Sequence, residues 1–178
     1  AARSPFTLTE AIVIVIQRSC HMKSTKTYFS NLLFGDRESM VVTSRNMTEI
    51  RTRDSVMNMW DEWYAGNDYA YGTEPNSFLV ERALKEPRGR VLSIAEGEGR
   101  NAVWLASQGF DVTSFDQSTV GVTKTLKLAL HRSVVVHAFK DDMTTFEIEP
   151  NSFDMIVSIF AHTTSDIRRG LHQRVTNG

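Results

Sequence analysis

The 178-residue sequence contains one cysteine, Cys20, so no disulfide can form within the chain. Its longest apolar run, AIVIVI at positions 11–16, is far shorter than the roughly 20 residues that a membrane helix needs. The net charge of −1 gives no excess of either sign, so nucleic acid and membrane surfaces are not predicted partners. These absences favour a cytoplasmic protein, although the basic, Ser- and Thr-rich start weakly suggests an organelle transit segment.

Motifs of several enzyme classes are also missing. No G-x-S-x-G or P-loop is present, which excludes the common hydrolase and ATPase signatures. The histidines and the cysteine show no H-x-x-x-H or C-x-x-C spacing, so no metal site is predicted.

Charge divides the chain near Met57. Residues 1–56 carry a net charge of +3, and the remainder carries −4. The first part lacks sustained helical or strand periodicity. It is therefore predicted to be a loosely ordered N-terminal extension, 1–56, ahead of a domain at 57–178.

The second part alternates strands with helices. Strands are predicted at 90–95, 111–116, 134–140 and 153–160, and helices at 99–109, 118–132 and 165–175. Along the helix at 118–132, an apolar stripe is predicted to face the core, formed by Val122, Leu126, Ala129 and Leu130. Such alternation predicts a doubly wound, Rossmann-like α/β sheet with parallel strands.

The loop between the first two of these strands indicates a ligand. Gly97 and Gly99 allow close backbone approach, and Asp116, at the end of the second strand, can accept ribose hydroxyls. This spacing also fits an NAD fingerprint. However, Glu96 and Glu98 would repel a diphosphate and suit the sulfonium cation of S-adenosylmethionine. The charge favours S-adenosylmethionine and leaves NAD open.

The segments WDEWYAGNDYAYGTEPNSFLVE, GRVLSIAEGEGRNAVWLASQGFDVTSFDQS and FDMIVSIFAH resemble a class I S-adenosylmethionine-dependent methyltransferase, in the tellurite-resistance and thiopurine-methyltransferase-like branch. The resemblance implies methyl transfer to a small molecule, such as a thiol or a selenium or tellurium species. It also implies a set of cofactor-binding residues, namely Glu96, Gly97, Gly99, Asp116, Gln117, Asp142, Met143, Ser158 and Phe160. Trp60, Tyr69 and Tyr71 would form a substrate lid, although core packing explains these aromatics equally well.

The sequence departs from the family pattern at several positions. Ser93 replaces a usual acid, Ala95 a usual glycine, and Trp63 a common arginine. Only four of the family's seven strands are present, so a truncated domain is expected, with a bare fourth-strand edge that would invite self-association. A catalytically impaired cofactor-binding fragment or partner subunit is therefore the alternative function. No catalytic residue is evident; His162 is a weak candidate for a base, with a plain surface histidine the simpler interpretation.

Overall fold

The computed structural model describes residues 14–17, 53–161 and 163–177. These ranges contain five strands, β1 Ile14–Gln17, β2 Arg90–Ile94, β3 Asp111–Asp116, β4 His137–Lys140 and β5 Met155–Ser158. They also contain five helices, α1 Arg53–Tyr64, α2 Ser77–Ala83, α3 Arg100–Ser107, α4 Thr119–His131 and α5 Ser165–Asn177. The alternation predicted from residue 90 onward is confirmed, with β4 and β5 shorter than expected.

The strands form one sheet in the order β1-β5-β2-β3-β4. The pairs β2–β3, β2–β5 and β3–β4 are all parallel, as predicted for a Rossmann-like fold. β1 pairs with β5 in the antiparallel direction. The expectation of a bare fourth-strand edge was therefore wrong: Ile14 pairs with Ser158 and Gln17 with Met155. The chain closes that edge with its own residues, which removes the reason for predicting self-association there.

Alternate residues of the buried strands point into two cores. Val91, Met155 and Val157 join the core formed with α2, α3 and α4. Leu92 and Ile156 join the opposite core, which also contains Leu171 and Val175 of α5, where side chains four residues apart share one helical face. The sheet is thus covered on both faces, as parallel strands require.

Helix α4 begins where the sequence predicts but buries a different face. The Ser118 hydroxyl accepts a hydrogen bond from the Gly121 N–H, as an N-cap does. The predicted apolar stripe is wrong, because Leu126 is 46% exposed and Leu130 is 81% exposed. The inward face is made of Gly121, Thr125, Leu128 and Ala129. No helix in the described ranges is both long and apolar enough to cross a membrane.

Candidate functional site

A cleft opens beyond the carboxyl ends of the parallel strands. The chain runs from β2 outward to β3 and β4 and then returns to β5 on the other side of β2, so the strand order reverses at β2. Ligands of doubly wound sheets bind at such a reversal. The cleft is lined by Trp60, Tyr64, Ala95, Phe115, Asp116, Gln117, Asp141, Met143, Phe160 and Ala161. Its volume of about 30 Å³ has room for only a few water molecules.

Asp116 is the buried carboxylate of this cleft, with 7% of its surface exposed. One oxygen accepts the Gly97 N–H and the other the Ser118 N–H, both at 2.8 Å. Burial raises the pKa of Asp116, while the two N–H groups act in the opposite direction. Each carboxylate oxygen has a second lone pair, so Asp116 retains acceptor capacity toward the cleft.

Glu96 has a different position from the one its charge suggested. One of its oxygens accepts the N–H groups of Asn101 and Ala102, both at 2.9 Å, in the first turn of α3. The other accepts the hydroxyl of Ser93, which replaces the family's usual acid. Burial raises the pKa of Glu96, and these hydrogen bonds oppose the rise. Glu96 is therefore a cap of α3 and occupies the N–H groups that a pyrophosphate would use.

Glu98 is also engaged within the protein. Its carboxylate lies 2.7 Å from the Lys124 ammonium, and it accepts the Ala70 N–H at 2.7 Å. The two charged side chains are only 4% and 11% exposed. The sequence argument that both acids face a cationic ligand therefore needs correction, because Glu98 is neutralised by a buried partner.

The glycines of the loop are required by packing within the protein. Gly97 and Gly99 have φ values of 69° and 93°, in the left-handed region that favours glycine. A Cβ on Gly97 would lie 2.7 Å from the Tyr64 hydroxyl oxygen, and one on Gly99 would lie 2.8 Å from Thr125. Neither residue lines the cleft. Their lack of side chains lets α1 and α4 approach the loop.

Helix α1 supplies one wall of the cleft. Trp60 and Tyr64 are four residues apart and stack with ring centroids 5.7 Å apart. Asp61 fixes this helix to the start of α4 by accepting the Ser118 hydroxyl at 2.6 Å and the Val120 N–H at 3.1 Å. Tyr64 is buried against Gly97, and burial together with the Asp116 charge raises its pKa.

The remaining aromatic residues of the predicted lid separate into two environments. The Tyr69 hydroxyl donates to the Lys124 carbonyl at 3.3 Å, so Tyr69 packs on α4 outside the cleft lining. Tyr71 is 40% exposed and contacts Trp63, at a ring distance of 6.5 Å. The Arg100 guanidinium lies 5.9 Å from the Tyr71 ring. Of the three lid residues, only Trp60 lines the cleft.

Five of the predicted residues meet at the cleft, namely Trp60, Asp116, Gln117, Met143 and Phe160. Ser158 is 3% exposed within β5, and the Asp142 carboxylate accepts the Thr144 N–H in its own turn. Neither Ser158 nor Asp142 lines the cleft. His162 lies outside the described residues. Within them, no group of three or more acids, histidines or cysteines is placed to hold a metal.

The sequence prediction omitted other lining residues, Tyr64, Ala95, Phe115, Asp141 and Ala161. The i, i+4 spacing of Tyr64 from Trp60 was available evidence, since it puts both rings on one helical face. Asp141 directly follows β4, where its N–H donates to the Asp116 carbonyl at 3.1 Å. That position at a strand end was equally visible in the sequence. Ala161 carried no such pattern.

Comparisons with known proteins agree with this architecture. A family model described as a methyltransferase domain matches residues 91–176. A tRNA (uracil(54)-C(5))-methyltransferase from Pyrococcus horikoshii is 30% identical over 120 residues, which cover 61% of this chain and 28% of that protein. The chain thus spans under a third of that relative's length.

Two solved structures have related folds. The first has a TM-score of 0.57 and 22% identity to this chain. It concerns the conversion of a disulfide bond into a thioacetal group during echinomycin biosynthesis. The similarity covers 68% of this chain and 55% of that one. Phosphoethanolamine N-methyltransferase 1 from Haemonchus contortus has a TM-score of 0.56 and 17% identity, with coverages of 74% and 30%. Residues 91–176 thus match the model of a methyltransferase domain, and the chain shares a Rossmann-like α/β fold with these two structures.

Proposed function

We propose that this protein transfers a methyl group from S-adenosylmethionine to a small-molecule acceptor. The observation that carries the proposal is the methyltransferase-domain match, since residues 91–176 supply most of the cleft lining, including Asp116 and Phe160. When bound, S-adenosylmethionine supplies an electrophilic methyl group. The motif AEGEGRNAV followed by GFDVTSFDQS supports the tellurite-resistance-like branch, with thiol, selenium or tellurium acceptors. A cytoplasmic location belongs to the same proposal. The predicted domain boundary at Met57 does not, because Met57 lies within α1 and β1 joins the sheet.

The described residues fit a cofactor without phosphate better than NAD. A pyrophosphate needs free N–H groups at the start of a helix, and Glu96 already accepts those of Asn101 and Ala102. Asp116 would hold the ribose hydroxyls, with Gln117 and Met143 beside the adenine. Glu96, Gly97, Gly99, Asp142 and Ser158 would then act as supports of the cleft or make contact after it widens.

The size of the cleft sets a condition on binding. A volume of about 30 Å³ is too small for the nucleoside part of S-adenosylmethionine. Helix α1 supplies two of the lining rings, Trp60 and Tyr64. We therefore expect cofactor entry to displace the rings that α1 contributes. Their return would exclude water and align the acceptor with the methyl group, which is the main contribution expected from a methyltransferase site.

Thermal shift measurements on the full chain test the cofactor. We expect saturating S-adenosylhomocysteine to raise the melting temperature by about 5 °C or more. NAD should leave it unchanged. Stabilisation by NAD alone, or by neither compound, would contradict the proposal. Transfer of a radiolabelled methyl group to small thiols then separates an active enzyme from a cofactor-binding fragment without turnover.

A pair of matched variants locates the site. Asp116→Asn should weaken S-adenosylhomocysteine binding at least about 10-fold in calorimetry, because a charged acceptor for the ribose is lost. Asp111→Asn makes the same change at the exposed, opposite end of β3 and should retain wild-type affinity. Equal affinities for the two variants would place the cofactor elsewhere.

A further inference from the structure

Arg100 lies near two aromatic rings, one of which lines the cleft. It is the first residue of α3, and its guanidinium carbon lies 5.9 Å from the centroid of Tyr71 and 5.9 Å from that of Phe160. One of its nitrogens donates to the Tyr71 carbonyl at 3.3 Å. Phe160 lines the cleft, so the guanidinium lies near a lining ring on the β5 side. The rings restrict the side chain, which lowers the entropy cost of using it in binding.

The acids near Arg100 are committed to other partners. Glu98 pairs with Lys124, and Glu96 accepts three hydrogen bonds from Ser93 and the start of α3. The charge of Arg100 acts on Glu96 without a hydrogen bond between them in the described part of the chain. A guanidinium has five N–H donors, and the Tyr71 carbonyl uses one. Among the described residues, Arg100 thus retains hydrogen-bond donors and forms no salt bridge with a carboxylate.

The two sides of the cleft differ in charge. Asp116 ends β3 and Asp141 follows β4, and both strands lie on one side of β2. Phe160 follows β5 on the other side, and Arg100 lies against it. The acidic side suits the hydroxyls and amino groups of a nucleoside. The opposite side combines an apolar ring with a cation, which suits an apolar molecule that carries a negative group.

We propose that Arg100 selects the methyl acceptor by binding an oxyanion, such as a carboxylate, that the acceptor carries. This rests on the proposed function, because it assigns the nucleoside to the β3 side and the acceptor to the β5 side. The planar fork of Arg100 pairs with two oxygens of the anion, while Phe160 packs against its apolar part. Arg100 is here a specificity-determining residue and takes no part in bond making.

Calorimetry with two thiols tests this binding directly. 4-Mercaptobenzoate and 4-mercaptobenzamide differ in the group remote from sulfur, which is anionic in the first and neutral in the second. We expect the full-length protein, saturated with S-adenosylhomocysteine, to bind the benzoate about 10-fold more tightly than the amide. This preference should shrink at high salt, since it is electrostatic. Equal affinities, or no measurable binding of the benzoate, would overturn the assignment.

Three variants identify the residue responsible. Arg100→Gln should reduce the preference to less than about 2-fold, and Arg100→Lys should retain only part of it, because lysine keeps the charge and loses the fork. Arg88→Gln is the matched control: Arg88 also lies over an aromatic ring, 4.6 Å from Phe110, but that ring, unlike Phe160, does not line the cleft. It should keep the full preference. A preference that survives in Arg100→Gln would refute the proposal.

The design separates this inference from the function beneath it. Loss of S-adenosylhomocysteine binding in the wild-type protein would defeat the proposed function itself. Cofactor binding by wild type and by Arg100→Gln, with no difference between the two thiols, would defeat only the role of Arg100. Weaker S-adenosylhomocysteine binding in Arg100→Gln, with no change in thiol preference, would show that Arg100 serves the cofactor and would equally overturn the acceptor assignment.

Discussion

Two residues at the cleft have a backbone conformation that L-amino acids rarely adopt. Ala95 follows β2 with a φ of 53°, and Phe160 follows β5 with a φ of 54°. A left-handed conformation costs a residue with a Cβ about 1 kcal/mol or more. Ala95 stands where the resembling family usually has glycine, which explains that preference physically. Strain of this kind often accompanies binding sites.

Replacing Ala95 with glycine should relieve this strain. We expect Ala95→Gly to raise the free energy of unfolding by up to about 1 kcal/mol, since the gain in the folded state exceeds the entropy that glycine adds to the unfolded chain. Urea denaturation measures the change. Ala106→Gly, within helix α3, should instead lower stability by about 1 kcal/mol. A loss of stability in both variants would contradict the argument.

The free energy of unfolding should depend on pH in part through the ionisation of Asp116. Burial raises its folded-state pKa above the unfolded value of about 3.9. Between the two values the folded protein binds more protons, so the free energy of unfolding falls as pH rises through that window. Asp116→Asn cannot ionise and should lack this part of the fall, which begins near the unfolded pKa of about 3.9.

Urea titrations at several pH values provide the measurement. Asp111→Asn should follow the wild-type curve, because the carboxylate that it removes is exposed to solvent. Parallel curves for the wild type and Asp116→Asn would mean that Asp116 ionises as easily in the folded as in the unfolded state.

At the scale of elements, Lys124 fastens the segment between α1 and α2 to helix α4. Its ammonium donates to the Asp68 carbonyl at 2.8 Å and to Glu98 at 2.7 Å, and its own carbonyl accepts the Tyr69 hydroxyl. Glu98 in turn accepts the Ala70 N–H. One buried ion pair therefore orders the segment that leads to Tyr71 and the cleft.

Removing the cation should be costly. We expect Lys124→Met to lower the free energy of unfolding by about 3 kcal/mol, because it leaves the Glu98 carboxylate buried and unpaired. Adding Glu98→Gln to that variant should recover part of the loss. Lys127→Met changes an exposed lysine of the same helix and should have little effect. Similar losses from both lysine variants, measured by chemical denaturation, would argue against a special role for this pair.

Helix and strand positions were predictable where the residues that the local hydrophobic pattern marks as apolar are also the ones that tertiary packing buries. β2 and β3 were found within one residue, since each is a short apolar run bounded by glycine or by loop residues. The inward face of α4 was not predicted, because Gly121 and Thr125 are buried on account of their small size and not because they are apolar. A Cβ on Gly121 would lie 2.8 Å from the Gly97 carbonyl oxygen. Hydrophobic periodicity carries no information about such close approach.

At the scale of the whole molecule, the parallel pairing and the place of the cleft followed from the alternating pattern and one general rule of doubly wound sheets. Asp116 was predicted because it ends a predicted strand, whereas Gln117, Met143 and Phe160 were implied by the family resemblance. The partner of β5 was not predicted, since Ile14 and Ser158 are 144 residues apart in sequence. The hydrogen-bond partners of Glu96 were also not predicted, because charge alone does not show which N–H groups a carboxylate accepts.

The pairing of β1 with β5 also has a consequence for biosynthesis. A ribosome releases Ile14–Gln17 long before Met155–Ser158 exists, so the nascent chain holds an early strand without its hydrogen-bonding neighbour. The sheet can be completed only after almost all of the described chain has emerged. Such distant contacts slow folding. Until then, this apolar stretch lacks its strand partner and is exposed to chaperone binding or to aggregation.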